Sequence, residues 1–255
     1  MITEVKLPSG HLGKFPIVSL NTEMTGEHHE MLLSSPPRLF ERTLASVIGS
    51  LLTVGDVNRI SLADMIYLFF IVRSASISPL YKTKWTCSRV VGTGASKGDC
   101  GGENPFTLNL GKMSTLFVPK GFNYSRYPVI VDGIETQVHS RLLTVSDEFD
   151  VLDALAEENI TKDSLKNPED MYKYARTRLV HSLTFDDTRI NEYDIERKSQ
   201  VLNGLPFMTV NKLFADGKAI SGYGPDLSPV KVTCAKCKGE SRLTIPFSSQ
   251  LLLPD

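Results

Sequence analysis

The sequence predicts an α+β protein of small mixed β-sheets, with a zinc-ribbon-like four-cysteine element and a helical insertion over about residues 146–222. Three observations carry this prediction. The only four cysteines fall in two distant pairs, Cys87 with Cys100 and Cys234 with Cys237. Some stretches repeat apolar residues at three- and four-residue steps, while others are short β-type runs. Glycine and proline punctuate the short runs as turns do.

Residues 1–23 read as extended, with a turn at Leu7-Pro8-Ser9-Gly10 and a strand at Phe15-Pro16-Ile17-Val18-Ser19-Leu20. A short helix is expected over 26–33. Pro36 and Pro37 open a stronger one, whose apolar stripe is Leu39, Phe40, Leu44, Val47, Ile48, Leu51 and Leu52. Ser61 and Asp64 begin the next helix, with Ile60 before the cap as a staple. Leu62, Met65, Ile66, Leu68, Phe69, Phe70 and Val72 surround much of that helix, which places it at the centre of the core.

The three glycines between Cys87 and Cys100 argue for a flexible loop. Strands are expected over 106–118 and 127–143, the second folded as a hairpin around Asp132-Gly133. Ser146 is expected to cap a helix through about Glu158. Asn167-Pro168 starts another, carrying Met171, Tyr174, Ala175, Leu179 and Val180. Further helices are expected over 191–202 and 209–220, until Gly222 and Gly224-Pro225 break the pattern. Val230-Lys231-Val232-Thr233 leads as a strand into Cys234, and Leu243-Thr244-Ile245-Pro246 leaves as its partner. The sequence then turns apolar at Leu251-Leu252-Leu253. The boundaries give an N-terminal α+β region over 1–145 with the first cysteine pair, a helical region over 146–222, and a C-terminal strand pair over 223–255 that completes the ribbon.

Composition narrows the function classes. A chain of 255 residues, 41% of them hydrophobic, holds enough apolar material for a sizeable core. A net charge of −1 offers no clustered basic surface of the kind nucleic-acid backbones need. The longest apolar stretch, from Met65 to Val72, is too short to span a bilayer. The polar start from Met1 to Gly10 lacks a signal-peptide pattern. A soluble protein made in the cytoplasm is therefore expected, where thiols stay reduced and bind metals in preference to forming disulfides.

Cys234-Ala235-Lys236-Cys237-Lys238-Gly239 has the spacing of a thiolate knuckle, with a glycine placed to relax the backbone after the second sulfur. Twelve residues separate Cys87 from Cys100, so that half-site reads as a loop and not a knuckle. Loop-closure entropy grows slowly with length, so the spacing does not exclude a site. Four thiolates favour structural Zn2+, with no open coordination position for chemistry. An iron–sulfur cluster accepts the same donors and is the runner-up. Buried free thiols and a disulfide are the plainer alternatives.

Other polar groups carry less. His28-His29, flanked by Glu27 and Glu30, reads as a solvated helix face, because adjacent helical residues diverge by about 100°. His139 and His181 have no spaced partner. Gly92-x-Gly94 lacks the frame of a phosphate loop. Asp147, Glu148, Asp150 and Asp153 suit a helix start, where the dipole favours negative charge. No nucleophile or base is marked by a catalytic motif, and no enzyme is expected.

The order of these motifs resembles a known family. It runs from Leu7-Pro8-Ser9-Gly10 and its strand to an apolar helix, then to Asp64-Met65-Ile66-Tyr67-Leu68-Phe69-Phe70-Ile71-Val72-Arg73-Ser74-Ala75-Ser76, Tyr81 and a cysteine pair. Cys234-x-x-Cys237 and the stretch from Ile245 to Pro254 close it. The chain resembles the baseplate hub assembly proteins of T4-type contractile-tailed bacteriophages. The resemblance implies a non-enzymatic protein that docks with baseplate hub and tape-measure proteins, self-association within the tail as a homo-oligomer, and no membrane. It implies residence in the host cytoplasm during assembly and in the virion tail baseplate if retained. It carries over Cys87, Cys100, Cys234 and Cys237, with a tighter first pair than stands here. The alternative reading is a zinc-ribbon regulator binding nucleic acid through Lys231, Lys236, Lys238 and Arg242.

Overall fold

The computed structural model describes residues 1–92, 97–161 and 164–244. The architecture is mixed α+β, as the sequence predicts. Strands β1 (Ile2–Lys6), β2 (Ile17–Asn21) and β3 (Leu52–Val54) form one antiparallel sheet in that order. Helices α1 (Gly26–Ser34) and α2 (Phe40–Leu51) lie between β2 and β3, and α3 (Leu62–Ser76) follows. Val5, Leu7, Val18 and Leu20 from the sheet region meet Leu44, Val47 and Ile48 of α2 and Met65, Leu68, Phe69 and Phe70 of α3 in the first core. The α3 helix is apolar around most of its girth because it is packed on most sides.

One buried carboxylate ties the N-terminal turn to α3. Ser61 caps the helix by accepting from the Asp64 N–H (3.0 Å), and Asp64 Oδ2 accepts from the Ser61 N–H (3.2 Å). The other oxygen of Asp64 accepts from the Ser9 N–H (2.9 Å), 55 residues away in sequence. Burial pushes the Asp64 carboxyl above its ordinary value, against the hydrogen bonds from Ser9 and Ser61.

After α3 the chain makes β4 (Leu80–Thr86), β5 (Val90–Val91), β6 (Gly98–Asp99), β7 (Glu103–Asn109) and β8 (Thr115–Leu116). The expected strand over 106–118 is therefore corrected: β7 begins at Glu103 and ends at Asn109, where a 3-10 turn over Leu110–Lys112 interrupts it. Its partner β4 alternates Lys82 and Lys84 with Tyr81, Thr83 and Trp85, a half-exposed pattern weaker than a buried apolar run.

The hairpin of β9 (Tyr127–Val131) and β10 (Ile134–Ser140) turns at Asp132 and Gly133, both with positive φ (52° and 80°), as expected. Helix α4 (Val145–Glu157) is capped by Thr144 and not Ser146, because Thr144 shares a capping box with Asp147. Asn167 caps α5 (Pro168–Ser182), which runs into β11 (Leu183–Phe185) beside β10. The single helix expected over 191–202 is two, α6 (Thr188–Asn191) and α7 (Ile195–Gly204), because Asp187 and Asp194 each cap a separate start. Helix α8 (Phe207–Ile220) follows. Val129, Val138, Leu179, Phe185, Leu202 and Leu213 close a second core between this sheet and α5, α7 and α8.

The chain returns through β12 (Gly224–Pro225), which pairs with β8, to the hairpin of β13 (Val230–Thr233) and β14 (Glu240–Leu243). The second ribbon strand thus ends near where the sequence reading began it. Ile245, Pro246 and the apolar Leu251-Leu252-Leu253 lie outside the described residues, as does Gly94.

The Asp64 clasp has a measurable consequence. Asp64→Ala removes the reciprocal half of the capping box and leaves the Ser9 and Ser61 N–H groups unpaired, an expected loss of about 2–4 kcal/mol. Asp64→Asn keeps an acceptor oxygen and avoids burying a charge, so it should lose less. Urea unfolding of both variants checks this, and an Asp64→Ala protein as stable as the native one would contradict it.

Candidate metal centre

The four cysteines converge. Cys87 leaves β4, Cys100 enters β7, Cys234 leaves β13, and Cys237 lies between β13 and β14. Their sulfurs all lie within 4.8 Å of one another, and Cys87–Cys237 and Cys100–Cys234 are each 3.8 Å apart. All four are free thiols, and Cys87, Cys100 and Cys234 are buried. A disulfide is thereby set aside, since its sulfurs stand about 2.05 Å apart.

The first half-site corrects the sequence reading in a specific way. Cys87 and Cys100 stand between two antiparallel ladders, β4–β7 on one side and β5–β6 on the other. The pairing offset that runs from Leu80 opposite Asn109 to Thr86 opposite Glu103 recurs in a second ladder at Val90 opposite Asp99, with a bulge at Gly101 between the two. Between these ladders the Cys87 N–H donates to Gly102 O (2.9 Å) and the Cys100 N–H to Arg89 O (2.8 Å). Cys87 thus stands opposite Gly102, and Cys100 opposite Arg89. Trp85 and Asn104, paired across the first ladder, both reach the sulfurs: Trp85 packs against them and Asn104 donates to the Cys234 sulfur. Gly101, at φ +59°, aims its N–H at Cys87 O (3.0 Å).

Gly102 is a requirement of this arrangement. A Cβ there would lie 3.1 Å from the Cys234 sulfur and 3.0 Å from Lys236 Cβ. The absent side chain is the space into which the second half-site docks.

That second half-site is a tight turn, as the C-x-x-C spacing predicts. The Lys238 N–H donates to Cys234 O, and the Cys234 N–H to Gly239 O, both at 2.9 Å. The left-handed residue is Lys238 (φ 57°), not the expected glycine. Gly239 serves a different need: the Arg89 side chain lies directly against it, where a Cβ would overlap the guanidinium.

The surroundings bias the sulfurs unequally. The Cys237 N–H holds Cys234 down at about 6, against burial and with help from the Asn104 side chain and the Lys236 N–H. Gly102 also donates to Cys100, but burial and the neighbouring sulfurs outweigh it and push that thiol up to about 11. A tetrahedral ion with metal–sulfur bonds of about 2.3 Å separates its thiolates by about 3.8 Å. The two short edges match that separation, so the four residues could hold one ion.

The remaining candidates resolve as structural groups. His28 Nδ1 accepts from the Thr25 N–H in the α1 cap, and Nε2 lies 3.0 Å from Ser50 Oγ. Asp147 binds Arg141 in a bidentate pair (2.7 and 2.8 Å), Glu148 binds Arg178 (2.6 Å), and Asp153 binds Arg42 (2.5 Å). Arg141, Arg178 and Glu148 also line a cavity of 660 Å³ between α3, α5 and α8. Asn104 escaped the sequence reading, and Lys236, read there as a basic surface charge, instead bridges the half-sites by donating to Cys100 O.

The fold and this centre define a small-sheet α+β protein cross-tied by a zinc-ribbon-like cluster of four thiols. No helix among the described residues is long and apolar enough to cross a membrane. The chain belongs to the family described as T4 bacteriophage base plate protein, whose match covers residues 1–252. No curated protein and no solved structure matches it.

Two buried histidines outside the centre give the protein an acid limit. Burial lowers both His139 and His181, with Arg126 and Arg141 adding to the effect at His139. The unfolded chain therefore binds protons at higher pH than the folded one. Stability is complete above the ordinary histidine value of 6.5 and falls as pH drops below it. His139→Phe should flatten this fall between pH 7 and pH 5, measured by urea midpoints; an unchanged slope would contradict the assignment.

Proposed function

We propose that this protein is a structural and assembly component of the baseplate hub of a contractile-tailed bacteriophage, working by protein–protein docking. The family match over residues 1–252 carries the reading. Baseplate membership implies contacts with other tail proteins. The hub and tape-measure proteins are the proposed partners, with self-association a further contact within the tail. Assembly would take place in the host cytoplasm and leave the protein in the virion tail. The cavity's Arg141 and Arg178 are already committed to carboxylates, which supports docking over catalysis.

The four thiols are proposed to hold a structural Zn2+. Cys87, Cys100, Cys234 and Cys237 would supply all four ligands, leaving no open position for a reacting water. The ion's chemistry here is cross-linking. An iron–sulfur cluster takes the same donors, but its own atoms would have to fit between sulfurs that stand 3.8 Å apart on two edges. The nucleic-acid alternative gains little from the ribbon's charge. Lys231 pairs with Glu240 (2.8 Å), and the Lys236 ammonium donates to Cys100 O (2.7 Å).

Co-expression with the hub and tape-measure proteins of the same phage tests the docking reading. Co-purification with at least one is expected. Association with neither, while those two proteins bind each other, would remove the hub assignment. Elemental analysis should find one zinc per chain. At a free-ion excess of about 1,000 Kd, zinc would add about 4 kcal/mol, so chelation should lower the melting temperature markedly. Cys234→Ser should reproduce that loss, and metal-free protein with an unchanged melting temperature would remove the staple.

A further inference from the structure

We infer that Asn104 is a positioning residue of the four-thiol centre: its carboxamide clasps the two half-sites together and orients the Cys234 sulfur toward a bound ion. This inference rests on the metal reading above. Asn104 belongs to β7, opposite Trp85. It is buried, yet every polar atom of its side chain is engaged. Nδ2 donates to Gly102 O (2.8 Å), within the first half-site, and to the Cys234 sulfur (3.5 Å), within the second. Oδ1 accepts from the Ala235 N–H (2.7 Å), 131 residues away in sequence.

The amide has one workable orientation. Turned over, it would set its oxygen against Gly102 O and a sulfur, and its NH2 against the Ala235 N–H. Three separate partners therefore fix one side chain, and that side chain fixes the knuckle. An N–H aimed at a thiolate also stabilises the charge that a metal ligand must carry. Lys236 makes a second bridge, from its ammonium to Cys100 O, but touches no sulfur in doing so. Among these bridges, Asn104 alone joins both half-sites and a ligand atom.

Residues that hold metal ligands in place typically contribute 10–100-fold to metal affinity. The full chain, loaded with Co2+, tests this through its thiolate charge-transfer and ligand-field bands and through the rate of metal loss to a chelator. Asn104→Ala should bind Co2+ about 10–100-fold more weakly than the native protein, with shifted bands. Asn104→Asp preserves size and an acceptor for Ala235 while removing the N–H at sulfur. It should stay folded by circular dichroism and still show the band shift. Glu103→Ala, an exposed change on the same strand, should leave both readouts unmoved. A folded Asn104→Asp protein with native bands and native metal retention would overturn the inference. Native protein that takes up neither Zn2+ nor Co2+ would overturn the metal reading itself, and the inference with it.

Discussion

The register between β4 and β7 is the constraint on which the thiol centre depends. A strand alternates its side chains with a period of two, so a slip of one residue would send Cys87 to the opposite face. The seven-residue ladder of each strand holds the register up to the cysteines, and the short β5–β6 ladder resumes it beyond them. Cys87 and Cys100 stand between the two ladders, Gly102 leaves a gap beside them, and Asn104 lies within the first ladder. The knuckle of residues 234–239 enters this ready-made recess and adds the last two sulfurs.

Energetics show what a cross-link at this junction would contribute. The β13–β14 hairpin has four residues per strand, all exposed or half-buried. A two-stranded hairpin of that size is marginal in water. The apolar cluster around the centre consists of Cys87, Cys100 and Cys234, with Trp85 and Cys237 packed against it. That is little apolar area beside the two main cores. A shared ion would instead act through chain entropy, because it closes contacts between residues 134 and 150 positions apart. Cross-links over loops of about 100 residues are worth about 4–5 kcal/mol in the chain-entropy account. The proposed staple would stand in for a core that the β13–β14 hairpin is too short to build.

The two main cores are secured by different means. In the first, α3 is held by packing on most sides and by the Asp64 clasp to the N-terminal turn. In the second, amphipathic helices cover the β9–β10–β11 sheet. Arg141 lies between the two regions: it follows β10, pairs with Asp147 at the start of α4, and donates to His181 O at the end of α5 (3.2 Å). Polar ties of this kind are directional, so they fix orientation where apolar packing alone would allow sliding.

Much of this was legible along the chain, and the failures share one cause. Ser61 with Asp64, Asn167 with Pro168, and Asp132 with Gly133 act through neighbours within a few residues, so sequence order shows them directly. Cys234-x-x-Cys237 is local in the same sense. Strand β4 was missed because half its residues are charged or polar, and only its pairing with β7 makes it a strand. The cap at Thr144 was displaced by two residues because Ser146 is an equally good hydroxyl; tertiary placement of Asp147 against Arg141 selects between them. The Cys87–Cys100 spacing misled for the same reason. Twelve intervening residues look like an open ring only if the chain between them is unpaired. Once Val90–Val91 pairs with Gly98–Asp99, sequence distance no longer measures spatial distance, and a long insertion brings two thiols as close as a tight turn would.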